Sequence, residues 1–135
     1  MRVILDTNVL VSGVFFSGLP HRILEAWRDG KITLVASAEI LEEYRRVGFA
    51  LAERFPGVDI EPFLALVAVG AEIVLTPSLE EPVCEDPDDD KFIACALAGR
   101  CKVIVSGDKT LLRASGYRGI KIKSPRGFVE DHLLL

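Results

Sequence analysis

Asp6 closes a short apolar run, Val3-Ile4-Leu5, and Asp108 follows a second, Val103-Ile104-Val105, by three residues. Between them lie the pair Glu42-Glu43 and the acidic segment Asp86-Pro87-Asp88-Asp89-Asp90-Lys91. Carboxylates are hard oxygen donors, and Mg²⁺ is typically held by a few of them together with retained waters. Several crowded together at neutral pH repel one another and take up protons unless a cation lies among them. Asp6, Glu43, Asp89 or Asp90, and Asp108 therefore form a candidate site for Mg²⁺ or Mn²⁺, and the chemistry such a site supplies is hydrolysis of a phosphoester. The two histidines, His21 and His132, belong to no metal-binding pattern, which disfavours zinc. Each acid alone also has a structural role open to it. Asp6 and Asp108 suit helix N-caps, Asp90 a first helical turn, and Glu43 a solvated helix face.

The elements that must position these acids alternate along the chain. Short β-branched runs at Arg2 to Leu5, Ile32 to Ala36, Glu72 to Leu75, Lys102 to Val105 and Ile120 to Ile122 predict five strands. Helical stripes separate them: Ile23, Leu24 and Trp27; Ile40, Leu41, Tyr44 and Val47; Phe63, Leu64, Val67 and Ala68; Phe92, Ile93, Ala96 and Leu97. Ser37, Asp59 and Ser124-Pro125 mark helix starts, and Gly30 and Gly99 mark stops. Apolar strands alternating with helices imply a central parallel sheet of about five strands covered on both faces, a three-layer α/β/α architecture. Ligands of such sheets bind outside the carboxyl ends of the strands, where the strand order reverses. Asp6 and Asp108 both fall at that edge.

Helix geometry sorts some acids and leaves others open. At about 100° per residue, Ile40, Leu41, Tyr44, Val47 and Gly48 define a buried face that Glu43 flanks and Glu42 opposes. Asp89 and Asp90 both fall near the face of Phe92, Ile93, Ala96 and Leu97, so spacing does not choose between them.

Composition narrows the class. The 135 residues, 50% hydrophobic and 27% charged, suit one compact domain spanning 1–135. The longest apolar stretches, such as Phe63 to Ala71, fall well short of the roughly 20 residues a membrane span needs. Asp6 interrupts what would be the apolar part of a secretory signal, and a cytoplasmic location is expected. Cys84, Cys95 and Cys101 lack paired spacing and read as reduced thiols. The chain has no Gln and a single Asn, a depletion found in thermophile proteins. The net charge of -4 argues against indiscriminate binding to nucleic acid, but eight acids and one base lie between Glu72 and Lys91, and eight bases and three acids from Arg100 onward. An acidic site beside a basic region suits a metal enzyme acting on a polyanion.

Four segments in this order resemble the PIN-domain nucleases, and within them the VapC-like toxin component of toxin-antitoxin pairs: Val3-Ile4-Leu5-Asp6-Thr7-Asn8-Val9-Leu10, Ser37 to Glu43, Asp86 to Ala94, and Val103 to Leu112. The resemblance covers almost the whole chain. It implies Asp6, Glu43, Asp90 and Asp108 as the catalytic, metal-holding acids, with Asp90 taken as the acid three residues before Ile93-Ala94 and Asp86, Asp88 and Asp89 as second candidates. It further implies supporting roles for Thr7, Asn8 and Ser106. Ser106 and Gly107 depart mildly from the threonine or asparagine common before the last acid. The implied activity is a metal-dependent endoribonuclease leaving 3′-hydroxyl and 5′-phosphate ends, with an antitoxin partner and a homodimeric state. Lys109 and Arg113 are candidate phosphate contacts.

Two other classes compete. An aspartyl-phosphate phosphatase also begins with an aspartate after its first strand, but needs a second one two residues on, where this chain has Asn8. A catalytically idle binding module would keep the fold without the chemistry, and retention of all four acids speaks against it. The apolar segment Val9 to Phe16 offers a face for a second protomer or an antitoxin.

Overall fold

The computed structural model describes residues 1–134. Its elements run β1 (Arg2–Leu5), α1 (Thr7–Phe15), α2 (Leu19–Arg28), β2 (Thr33–Ala36), α3 (Ala38–Arg54), α4 (Glu61–Gly70) and β3 (Glu72–Ile73). A 3-10 turn (Pro87–Asp89) then leads into α5 (Asp90–Gly99), β4 (Val103–Val105), α6 (Lys109–Leu112), β5 (Lys121–Lys123) and α7 (Pro125–Phe128). The five strands form one all-parallel sheet in the order β3-β2-β1-β4-β5. Successive residues of a strand point to opposite faces. Val3, Ile4 and Leu5 of β1 are nevertheless all fully buried, as are Leu34, Val35 and Ala36 of β2, so helices cover the sheet on both sides. This is the expected three-layer α/β/α, PIN-like arrangement.

The chain lays β1, β2 and β3 outward in one direction, then crosses back so that β4 pairs with the other side of β1. The strand order therefore reverses between β1 and β4. Pairing there is in register at Val3 with Val103, Ile4 with Ile104 and Leu5 with Val105, which ends both strands at the same level. The Asp6 N–H continues the ladder to the Val105 carbonyl at 2.9 Å.

Most expected elements form, with instructive departures. Helix α1 has no counterpart among the elements that the sequence pattern predicts. Its run Val9, Leu10 and Val11 is buried throughout, so the apolar pattern carries little helical period. Gly13 allows α2 to close on it, because a Cβ there would stand 2.6 Å from Leu24 Cδ1 and 2.9 Å from the Pro20 carbonyl oxygen. The edge strand β3 is shorter than expected: the Val74 N–H still reaches the Ala36 carbonyl at 2.9 Å, but Leu75 is 96% exposed. In α4 only Val67 is fully buried and Ala68 is exposed, since a helix apolar nearly all round does not announce its inner face. Ser37 and Ser124 cap α3 and α7 as expected, accepting from Ile40 N at 3.2 Å and Gly127 N at 3.0 Å. Gly99 ends α5, but the left-handed residue is Arg100, at φ 55°. The glycine serves instead the close approach of α5 to β2, where a Cβ would lie 2.9 Å from Val35 Cγ1.

Candidate active site at the carboxyl ends of β1 and β4

Asp6 leaves β1 and at once starts α1. Its Oδ1 accepts from the Thr7 N–H at 2.7 Å and its backbone carbonyl from Val9 and Leu10, so the structural role as an N-cap is real. Its Oδ2 accepts from the Ser106 hydroxyl at 2.6 Å. Ser106 is fully buried just past β4, and its Oγ accepts in turn from the Asp108 N–H at 3.0 Å. Asp108 caps α6, its Oδ1 taking the Thr110 N–H at 2.9 Å and the Thr110 hydroxyl at 2.8 Å. Capping and site formation are thus the same event, because starting a helix directly after each strand turns both carboxylates to one edge.

The acidic segment before α5 divides its carboxylates between two places. Asp89 closes the 3-10 turn and is 8% exposed, with Oδ2 3.5 Å from the Thr110 hydroxyl, the outer limit of a hydrogen bond. Asp90, one residue on, turns instead to the preceding loop, where its Oδ1 accepts from Cys84 N at 2.7 Å and Val83 N at 3.3 Å. It lines a cleft with Glu39, Ser78 and Pro82 in which neither Asp6 nor Asp108 takes part. Of this segment, Asp89 is the residue that shares the Thr110 hydroxyl with Asp108, while Asp90, the one the resemblance implied, is held by the preceding loop. The 3-10 turn Pro87–Asp89 ends between these two residues, so they leave the chain on either side of a change in winding.

Glu43 reaches the same region from α3, which the Tyr44 hydroxyl pins to the end of β1 by donating to the Leu5 carbonyl at 2.5 Å. Glu43 is 9% exposed while Glu42 faces solvent, as helix geometry required. The Thr7 hydroxyl donates to Glu43 Oε2, and Lys91 Nζ donates to Oε1 at 2.6 Å. Asn8 is exposed in a cleft between α1 and α3 beside Ser12, Ala50 and Arg54, and makes no hydrogen bond to these carboxylates among the described residues. Lys109 is exposed, and Arg113 is engaged by Glu85 at 2.9 Å. Thr110 and Lys91 are not among the residues that sequence spacing singles out, although a threonine two residues after a capping acid is itself a sign of the cap.

The electrostatics single out two acids. Burial pushes the Asp6 carboxyl above its usual range, the charges of Glu43 and Asp108 add to this, and the bonds from Ser106 and Thr7 oppose it. Asp89 is pushed up to about 6, first by burial and then by the charges of Asp108, Asp6, Asp86 and Asp88. Asp108 is held below its usual range by the Thr110 hydroxyl and N–H. Among the described residues no Lys, Arg or His forms an ion pair with Asp6, Asp89 or Asp108. The three cysteines are free and buried, and burial raises the Cys95 thiol to about 12.

The expected convergence of four carboxylates on one ion is not what the chain displays. Among the described residues no three Asp, Glu, His or Cys side chains are grouped so as to hold a metal. Hydrogen bonds through Thr7, Ser106 and Thr110 join the acids instead into a bonded line, Glu43 to Asp6 to Asp108 to Asp89. The donor chemistry nevertheless fits a hard divalent cation: all donors are oxygens, and the two raised carboxyls have no base beside them.

A family model described as PIN domain matches residues 2–110, a span that includes Asp6, Glu43, Asp89, Asp108 and Thr110. An uncharacterized protein of Methanocaldococcus jannaschii is 28% identical in an alignment covering 97% of this chain and 91% of that relative.

Proposed function

The chain belongs to the PIN-domain family, and on that premise we propose that it is a divalent-metal-dependent endoribonuclease, the toxin of a toxin-antitoxin pair. PIN domains are generally nucleases and typically use divalent metals. The observation that carries the reading is the pair of buried carboxyls, Asp6 and Asp89, raised together at the point where the strand order reverses and left without a basic partner.

Asp6, Asp89 and Asp108 would hold Mg²⁺ or Mn²⁺. Bound there, the ion supplies a water of lowered pKa and neutralises charge on the phosphoryl oxygens. The chain's own residues prepare that place. Ser106 fixes the orientation of Asp6, and Thr110 does so for Asp108 while touching Asp89. Thr7, through its N–H to Asp6 and its hydroxyl to Glu43, keeps α1 and α3 in step at the site. The exposed Lys109, beside Asp108, offers a phosphate contact on the substrate side. RNA is the substrate in this reading, cut to 3′-hydroxyl and 5′-phosphate ends.

A partner surface accompanies the toxin role. Phe16 is 44% exposed, and its ring packs edge-on against Phe55 at 5.2 Å between centroids. An exposed aromatic pair of this kind is a face for an antitoxin or a second protomer.

The test is RNA cleavage by purified protein. Cleavage is expected with Mg²⁺ or Mn²⁺, is expected to vanish with a chelator, and is expected to vanish in Asp6→Asn. Metal-dependent cleavage that persists in Asp6→Asn would overturn the proposal.

A further inference from the structure

The other acids of the line rest on hydroxyls and amide N–H groups, whereas Glu43 rests on an ammonium. Lys91 lies in the first turn of α5, two residues after Asp89, and its side chain is 7% exposed. A lysine is rarely buried to that degree unless its charge is matched. Here Nζ is 2.6 Å from Glu43 Oε1 and 3.1 Å from Asp88 Oδ1. Arg46 stands 3.8 Å from the same Glu43 oxygen, and the Thr7 hydroxyl occupies the other. Both oxygens of Glu43 are therefore engaged, and the positive charge a bound cation would bring is already present.

The beginning of α5 thus serves the two ends of the acidic line in opposite ways. Asp89 adds a carboxylate that shares the Thr110 hydroxyl with Asp108, and Lys91 adds a base beside Glu43. A divalent ion approaching Glu43 Oε1 would meet an ammonium within hydrogen-bond reach of that oxygen, a like-charge encounter in a poorly solvated place. Toward Asp6, Asp89 and Asp108 it meets no ammonium or guanidinium within ion-pair distance among the described residues.

We propose that Lys91 is the resident cation of the Glu43 end, a positioning residue that keeps Glu43 from ligating metal and confines the metal to Asp6, Asp89 and Asp108. The inference rests on the metal-dependent reading above and narrows it. Glu43, the expected fourth ligand, is then the anchor of Lys91.

Mn²⁺ binding to the full chain, followed by the electron paramagnetic resonance of the free ion, reads this without reference to catalysis. Glu43→Gln is expected to bind Mn²⁺ within about threefold of the parent, and Asp89→Asn to bind about tenfold more weakly or worse. Lys91→Met frees Glu43 and is expected to bind a further equivalent or to tighten binding by about tenfold, a gain that the double variant with Glu43→Gln loses. Lys91→Arg keeps a cation and should bind as the parent does, which holds the test open if Lys91→Met does not fold. Glu43→Gln weakening Mn²⁺ as much as Asp89→Asn overturns the proposal, as does a folded Lys91→Met that binds like the parent, or a parent that binds no Mn²⁺. RNA cleavage by the same preparations answers separately for the proposed function: activity lost in Asp6→Asn, together with a Glu43→Gln defect in Mn²⁺ binding, removes only the role given to Lys91.

Discussion

The Ser106 hydroxyl donates to the Asp6 carboxylate at 2.6 Å, joining residues 100 positions apart across the adjacent ends of β4 and β1. The same oxygen accepts the Asp108 N–H at 3.0 Å, so one buried serine sets the orientation of two acids. It can do so because β1 and β4 are paired in register and end together.

Ser106→Ala is therefore expected to harm both folding and chemistry. It leaves a buried carboxylate oxygen and a backbone N–H short of a partner, a loss of about 1–3 kcal/mol measurable by urea denaturation. Cleavage should fall by about 10–100-fold, the usual consequence of removing a group that orients a metal-holding residue. Unchanged cleavage in a folded Ser106→Ala would mean that Asp6 needs no such orientation.

Asp89 and Asp90 separate by readout. Asp90→Ala removes the acceptor for the Cys84 and Val83 N–H groups and should cost about 1–3 kcal/mol of stability, while the Mn²⁺ affinity stays near that of the parent. Asp89→Asn should retain the fold and lose RNA cleavage. The reverse pattern would restore Asp90 to the metal.

The raised carboxyl of Asp89 also predicts a dependence of stability on pH. With its pKa near 6 in the folded chain against an ordinary 3.8, the folded state holds more protons than the unfolded state between those values. The Asp89 contribution to stability is therefore fully present below about pH 4 and is lost as the pH rises through about 6. Measured in a chelator, the melting temperature of the parent relative to Asp89→Asn should fall across that window. A difference that is flat with pH would remove the electrostatic argument for the site. Asp6, raised in the same direction, should behave likewise.

Much of this was open to reading in the sequence, because it depends on local rules. Alternating apolar runs specify strands and helices, and serine or aspartate at a helix start specifies a cap, so Asp6 and Asp108 could be placed at one sheet edge and Glu43 separated from Glu42. Helix α1 escaped because its residues are buried on nearly every side, which removes the contrast on which periodicity depends. The different directions of Asp89 and Asp90 were not legible for another reason. Neighbouring acids at a helix start differ only in direction, and a three-residue 3-10 turn between Asp86 and α5 sets that direction. The partners of Glu43 lie further still from local rules: Thr7 is 36 positions away and Lys91 is 48. Sequence determined which residues carry charge and which elements carry them. Tertiary structure alone decided which charges meet, since that follows from sheet order and from helices packed across it, where a rotation of a fraction of a turn exchanges one carboxylate for the next.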